Sequence, residues 1–141
     1  MSGFLLDTNV VSELMRPRPD AEVLAWFEAE AQASFFISTI TQAEIFLGIA
    51  LLPTGKRRAA LAASAEEMFQ VEFANRCLPF AHNAAREYAL LVAARIKIGK
   101  PISTEDAQIA ATAIHHRLQL VTRNTKDFGH VEGLELINLW L

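Results

Sequence analysis

The sequence predicts an α/β fold of three layers, with a central parallel sheet covered by helices on both faces. Short apolar segments, among them Phe4–Leu6, Phe35–Ser38 and Leu118–Thr122, alternate with longer segments of helical periodicity. Strands that are apolar along their whole length are typical of a parallel sheet buried on both faces. The 141 residues contain no internal repeat and no long linker, so we expect a single domain over residues 1–141.

Cap and breaker residues indicate where the helices begin and end. Pro17 and Pro19 end the first helix, and Thr41 is expected to cap a helix that Pro53 and Gly55 end. The predicted helices span residues 10–15, 20–30, 41–52, 58–76, 82–99 and 103–117, and further strands are predicted at 78–80 and 134–139. In the fifth helix the predicted inner stripe comprises Ala85, Tyr88, Ala89, Val92 and Ile96.

Composition and charge exclude several classes of protein. The formal net charge is −3, so the chain cannot hold nucleic acid by bulk positive charge, and any such chemistry must depend on a local site. No apolar run approaches the length of a membrane span, and the first residues do not resemble a signal peptide. The single cysteine, Cys77, cannot form an internal disulfide. We therefore expect a protein of the reducing cytoplasm that does not associate with membranes.

Four polar residues stand where predicted strands give way to helices or turns. Asp7 directly follows the first predicted strand, and Asn124 comes shortly after the strand that ends at Thr122. Glu44 and Asp106 fall in the first turns of two helices. Ligands of an open parallel sheet gather beyond the carboxyl ends of its strands. The sequence therefore predicts that these four residues share one rim.

Helical periodicity aligns two of these acids with apolar residues. The stripe of Glu44 holds Ile40, Leu47, Gly48 and Leu51, and that of Asp106 holds Ile109, Ala110, Ala113 and Ile114. A carboxylate is costly to bury unless a cation neutralises it, and no Lys or Arg lies close on either stripe. A divalent metal would relieve the repulsion among three acids. Taken singly, Asp7 could be a turn residue, Asp106 a helix cap and Glu44 an exposed acid.

The order of these motifs resembles a known family. The motifs are Leu6–Glu13, Ala43–Glu44 with Leu47–Gly48, Asp106–Ala111, Thr122–Phe128 and a terminal Leu139–Trp140. In that order and approximate spacing they are similar to the motifs of PIN-domain nucleases, and in particular to the VapC and FitB type of toxin–antitoxin endonuclease. The resemblance covers nearly the whole chain, from Phe4 to Trp140.

The resemblance implies a phosphodiesterase that cleaves RNA and depends on Mg²⁺, with Mn²⁺ as a substitute. By position, Asp7 and Asp106 would be metal ligands, and Glu44 would complete or tune the catalytic site. Water activated by the metal would attack phosphorus in line with the leaving oxygen. The chain would then be the toxin of a toxin–antitoxin pair.

Neighbouring polar residues would support these acids. By the same resemblance, Thr8, Asn9 and Thr122 would orient the carboxylates through hydrogen bonds. Asn124 occupies the fourth acidic position of the family and would also support the metal ligands from beside them. Its neutral side chain weakens the case for a second tightly held metal. Asp127, three residues later, is a candidate to compensate.

The expected partners are an RNA substrate, a cognate antitoxin protein and a second copy of the chain. DNA would be contacted only indirectly, through the antitoxin. The resemblance implies a homodimer, and the candidate contact residues are Met68, Phe69 and Phe73 together with the helix of Tyr88, because their apolar side chains exceed what one small core requires. Arg16 and Arg123 follow motif residues and are candidates for phosphate contact.

Two other functions remain open from the sequence. The first is a PIN scaffold that binds a partner but no longer cleaves, against which the retention of Asp7, Glu44 and Asp106 argues. The second is a phosphohydrolase with an Asp-based Mg²⁺ site after the first strand. A haloacid-dehalogenase-type phosphatase would place a second Asp where this chain has Asn9.

Overall fold

The computed structural model describes residues 3–140, and within them a sheet of five parallel strands forms the centre of the fold. The strands are β1 (Gly3–Leu6), β2 (Ser34–Ser38), β3 (Cys77–Leu78), β4 (Gln119–Val121) and β5 (Leu136–Ile137). They lie in the order β3–β2–β1–β4–β5, and each neighbouring pair is parallel. The chain leaves β1 on one side towards β2 and returns to its other side as β4. This change of direction is where open parallel sheets place their ligands.

Six helices cover the two faces of this sheet. They are α1 (Thr8–Leu14), α2 (Ala21–Ala29), α3 (Thr39–Ala50), α4 (Lys56–Glu67), α5 (His82–Lys97) and α6 (Thr104–His116). Alternate side chains of β1 enter different cores: Phe4 and Leu6 pack with residues of α1 to α4, whereas Leu5 packs with residues of α5 and α6. The three-layer α/β/α fold predicted from the sequence is confirmed. No helix within residues 3–140 is long and apolar enough to cross a membrane.

All six helices differ from their predicted bounds by at least one residue at one end, and two of the differences are informative. The helix predicted over 58–76 ends as α4 at Glu67 and continues only as a π-helical turn, Met68–Glu72. Met68, Phe69 and Phe73, in and just after this turn, are buried in the core. The helix expected to start at Thr41 begins at Thr39, because the hydroxyl of Ser38 accepts the hydrogen bond from the Thr41 amide and is the cap.

The predicted inner stripe of α5 is only partly right: Tyr88 and Val92 pack against the core, but the buried face is shifted by about one residue. Ala85, Ala89 and Ile96 are exposed, while Ala84, Leu91 and Arg95 are the buried residues of this helix. Apolar periodicity does not mark Arg95 as a buried residue, because arginine is rarely buried. Its burial depends on carbonyl groups that other parts of the chain supply.

Candidate active site

Asp7 joins the end of β1 to the start of α1. Its side chain is 3% exposed and caps α1, since Oδ1 accepts a hydrogen bond of 2.8 Å from the amide of Thr8. Its own amide donates to the carbonyl of Val121, which extends the pairing of β1 with β4 by one residue. Asp7 therefore does bond to the local backbone, as a turn residue would. Its second carboxylate oxygen, Oδ2, remains for other partners.

Two side chains hold that second oxygen. The hydroxyl of Thr122 donates to Asp7 Oδ2 at 2.7 Å, and the amide of Asn9 donates to the same atom at 3.1 Å. The pKa of Asp7 is nevertheless raised. Burial is the largest cause and the charge of Glu44 adds to it, while the bonds from Thr122 and Thr8 act in the opposite direction. Asp7 is thus a carboxylate whose ionised form is oriented by donors but left without a cation.

Glu44 reaches the same region from the first turns of α3. Its Oε1 accepts a hydrogen bond of 2.6 Å from the hydroxyl of Thr8, and that hydroxyl also lies 3.0 Å from the hydroxyl of Thr41. Because α1 and α3 are joined by this bond, Glu44 is half-buried. The predicted reason for its burial was wrong, since Leu47 and Leu51 of its stripe are exposed. Hydrogen bonding to Thr8, and not an apolar stripe, holds Glu44 in place.

Asp106 lies in the first turn of α6. Its amide donates to the hydroxyl of Ser103, which caps the helix as expected. Below it, Ile109, Ala110 and Ala113 are fully buried, so the predicted stripe of this helix is confirmed. The pKa of Asp106 is raised to about 6, mainly by burial, next by the charge of Asp7, and more weakly by the charges of Asp127 and Glu44. The Ser103 side chain opposes the rise.

Thr8 donates hydrogen bonds to both Asp7 and Glu44, which places these two acids together beyond the strand ends. Asp106, in the first turn of α6, lies beside them, and the charges of both acids raise its pKa. Within residues 3–140, the only ion pair joins Arg16 to Glu13, so no Lys or Arg neutralises the three acids. A hard divalent cation fits this set of oxygen donors. Nowhere in the described part of the chain do three acidic, His or Cys side chains form a ready-made metal cage. Mg²⁺ commonly keeps several waters and binds through one or two carboxylates together with phosphate oxygens.

Asn124 is placed beside the site but supports it in an unexpected way. Its main-chain amide donates to the Thr122 hydroxyl at 3.0 Å, which aims that hydroxyl at Asp7. Its exposed side chain makes no hydrogen bond within residues 3–140. The supporting role that we assigned to Asn124 therefore belongs to its backbone. Asp127 borders a small cavity of about 210 Å³ together with Asp106.

Sequence reasoning missed Arg95, which lines the same small cavity as Asp106. Its guanidinium is buried and donates to three carbonyl groups: Nε to that of Lys100 at 2.6 Å, and Nη1 to those of Asp127 and Gly129 at 2.9 Å each. Arg95 thereby joins the loop that leads to α6 to the loop that follows β4. A polar residue inside an otherwise apolar helical stripe was the one signal that could have identified it.

A larger groove opens beside Glu44. It has a volume of about 680 Å³ and lies between α1, α3 and α4. Thr8 and Glu44 belong to its lining, which is otherwise mainly apolar, and Arg16 and Arg57 also border it. The groove is therefore continuous with the acidic site.

The expected dimer residues are not available on the surface. Met68, Phe69 and Phe73 are each less than 10% exposed and pack inside the protomer. The exposed large apolar residues of the described chain lie elsewhere: Leu24, Leu47, Leu51, Val71, Leu90, Ile96 and Ile98. Met68, Phe69 and Phe73 were therefore the wrong candidates for a dimer contact, whereas the helix of Tyr88 does present exposed apolar residues, Leu90 and Ile96.

The family model described as "PIN domain" matches residues 4–134. The chain belongs to the PIN-domain family. This PIN domain is 43% identical to a VapC ribonuclease, Y4jK, of Sinorhizobium fredii, over 96% of both chains. It is 42% identical to the toxin FitB of Neisseria gonorrhoeae, over 96% of this chain and 97% of FitB. The solved structure of FitAB bound to a DNA fragment superposes with a TM-score of 0.86 at 38% identity, covering 98% of this chain and 96% of that one. The resemblance found in the sequence motifs is confirmed.

Proposed function

We propose that this PIN domain is a divalent-metal-dependent endoribonuclease and the toxin of a toxin–antitoxin pair, acting on RNA in the cytoplasm. The observation that carries the proposal is the convergence of Asp7, Glu44 and Asp106, from three separate elements, on one rim without a neutralising cation. The similarity to a VapC ribonuclease and to the toxin FitB supports RNA cleavage and a toxin role. The whole chain, residues 1–141, would act as one domain.

Asp7 and Asp106 would hold Mg²⁺, or Mn²⁺ in its place, and Glu44 would complete the acidic site. When bound, the ion would supply the positive charge that lowers the pKa of the attacking water and offsets charge on the phosphate oxygens. The chain's own groups do the positioning. Thr122 and Asn9 fix one oxygen of Asp7, and Thr8 fixes Glu44, so neither carboxylate has to reorganise when substrate arrives.

The groove beside Glu44 is the surface on which we expect the antitoxin to dock. Its mainly apolar lining suits an apolar segment of that partner, and the adjoining acids suit a basic side chain from it. FitAB is a complex bound to DNA, and the similarity to it supports a partner chain of this kind. Contact with DNA would then be indirect. A homodimer would use exposed residues such as Leu90 and Ile96 of α5.

The test is incubation of the purified chain with total RNA and Mn²⁺ or Mg²⁺, followed by mapping of the new RNA ends. We expect cleavage that a chelator stops and that Asp106→Asn abolishes. RNA binding without cleavage in any metal would support the inactive scaffold instead. Release of phosphate from a simple monoester, with RNA left intact, would support the phosphohydrolase.

A further inference from the structure

Arg123 and Trp140 form a cation–π pair at the edge of the proposed active site. The guanidinium carbon of Arg123 lies 4.9 Å from the centroid of the Trp140 ring. The main chain of Arg123 is also held on both sides, because its N–H donates to Asn9 Oδ1 at 3.1 Å and its carbonyl accepts from Asn138 Nδ2 at 3.4 Å. Asn138 in turn accepts a hydrogen bond from the Trp140 amide at 2.9 Å. Arg123 is therefore fixed through both its backbone and its side chain.

The same contacts connect Arg123 to the metal-binding acid that we propose. It directly follows Thr122, whose hydroxyl donates to Asp7. Asn9, which accepts the bond from the Arg123 amide, donates its own side-chain N–H to Asp7. One small network thus sets both the orientation of Asp7 and the position of the Arg123 backbone.

The side chain of Arg123 is exposed and makes no hydrogen bond or ion pair within residues 3–140. The contact with the Trp140 ring uses none of the guanidinium N–H groups as hydrogen-bond donors, so they are free to bind an anion. Arg16 differs, since it is paired with Glu13 at 3.2 Å. Of these two arginines, only Arg123 has no acidic partner within residues 3–140.

We propose that Arg123, held by Trp140, binds a phosphate of the RNA strand next to the one that is cleaved. This inference rests on the ribonuclease function proposed above. An RNA strand is repelled by an acidic site on a chain with a net charge of −3. A guanidinium fixed beside that site provides local attraction, and its donors match two phosphate oxygens at once. The contact with Trp140 also keeps the Arg123 guanidinium away from the carboxylates that the metal needs.

The test compares the two ends of one strand. Arg123 follows β4, and Arg117, which is also exposed, precedes β4. Arg117→Gln is therefore the control, because it removes the same charge from the opposite edge of the sheet. Binding of a fluorescent, mixed-sequence, single-stranded RNA is measured over a range of salt, with Asp106→Asn in every protein to prevent cleavage. We expect Arg123→Gln to weaken binding about tenfold. We also expect its plot of log affinity against log salt to become shallower by about 0.7. Arg117→Gln should change neither quantity.

Two further variants separate the effect of the Arg123 charge from the effect of its contact with Trp140. Arg123→Lys should keep the salt slope while weakening binding, because a lysine retains the charge but not the planar donors. Trp140→Leu should do the same by releasing the arginine, and circular dichroism checks that each variant is folded. If Arg123→Gln binds RNA as its parent does, or loses no more than Arg117→Gln, the inference is overturned. If instead the unmodified chain neither binds nor cleaves RNA in Mn²⁺, the ribonuclease function itself fails.

Discussion

The hydroxyl of Thr122 donates a hydrogen bond of 2.7 Å to the carboxylate of Asp7, and so joins the ends of β4 and β1 across 115 residues of sequence. Thr122 is fully buried, and its hydroxyl also accepts a bond from the Asn124 amide. The proton of that hydroxyl is thereby directed at Asp7. Orientation of the proposed metal ligand depends on a residue that has no charge of its own.

Thr122→Val tests that dependence, because valine has nearly the same shape and lacks the donor. We expect a loss of about 1 kcal/mol in the free energy of unfolding. We also expect Mn²⁺ affinity, measured by calorimetry, to fall about tenfold. Thr112→Val is the matched control, since Thr112 is equally buried but donates to the carbonyl of Gln108 within α6. An unchanged Mn²⁺ affinity in Thr122→Val would contradict an orienting role.

Asp106→Asn should abolish RNA cleavage, by at least about a hundredfold, while the protein remains folded. The substitution removes one charge from a group of acids that repel one another, so the free energy of unfolding without metal should stay equal or rise. Thermal melts in a chelator provide the measurement. Cleavage at the unmodified rate would remove Asp106 from the site.

Asp7→Asn should abolish cleavage as well, but with a different effect on stability. Asp7 accepts hydrogen bonds on both oxygens, from Thr8, Thr122 and Asn9, and an asparagine has only one acceptor oxygen. We therefore expect Asp7→Asn to melt at a lower temperature than Asp106→Asn. Equal melting temperatures would mean that these donors contribute little to folding.

The metal-free protein should become less stable as pH rises between about 4 and about 6. The pKa of Asp106 is about 6 in the folded chain against 3.8 for the free side chain, so the folded state binds more protons in this window. Stability from the protonated form is present at low pH and is lost as pH rises through the folded pKa. Urea titrations in a chelator measure the effect, which should be smaller in Asp106→Asn. Excess Mn²⁺ should reverse the trend at the upper end, because the cation favours the ionised carboxylate.

Arg95→Met should destabilise the fold by about 3 kcal/mol, because the three carbonyl groups that Arg95 satisfies would lose their donors. Methionine fills similar space, so a cavity contributes little. Arg86→Met on the exposed side of the same helix is the control and should cost almost nothing. Urea denaturation compares the two. Similar losses in both variants would show that the carbonyl contacts of Arg95 do not matter.

The sequence by itself determined the layer order of the fold and the places where the acids stand. Apolar strands such as Phe4–Leu6 and caps such as Ser103 are local signals, because they depend on residues within a few positions of one another. The carboxyl ends of parallel strands share one rim, so the placement of Asp7 and Asp106 near each other followed from topology alone. The family motifs added the assignment of a PIN domain.

Only the tertiary structure decided what each of these residues touches. Almost every face of α3 is apolar, so periodicity could not show that Leu47 is exposed and that Glu44 is held by Thr8. The helix after α4 widens into a π-helical turn, in which the Phe73 amide donates to the Met68 carbonyl, and a pattern of period 3.6 does not predict that turn. Arg95 can be buried because carbonyl groups more than 30 residues away accept hydrogen bonds from its guanidinium. Burial and pairing of this kind depend on which distant elements meet, and no short stretch of sequence contains that information.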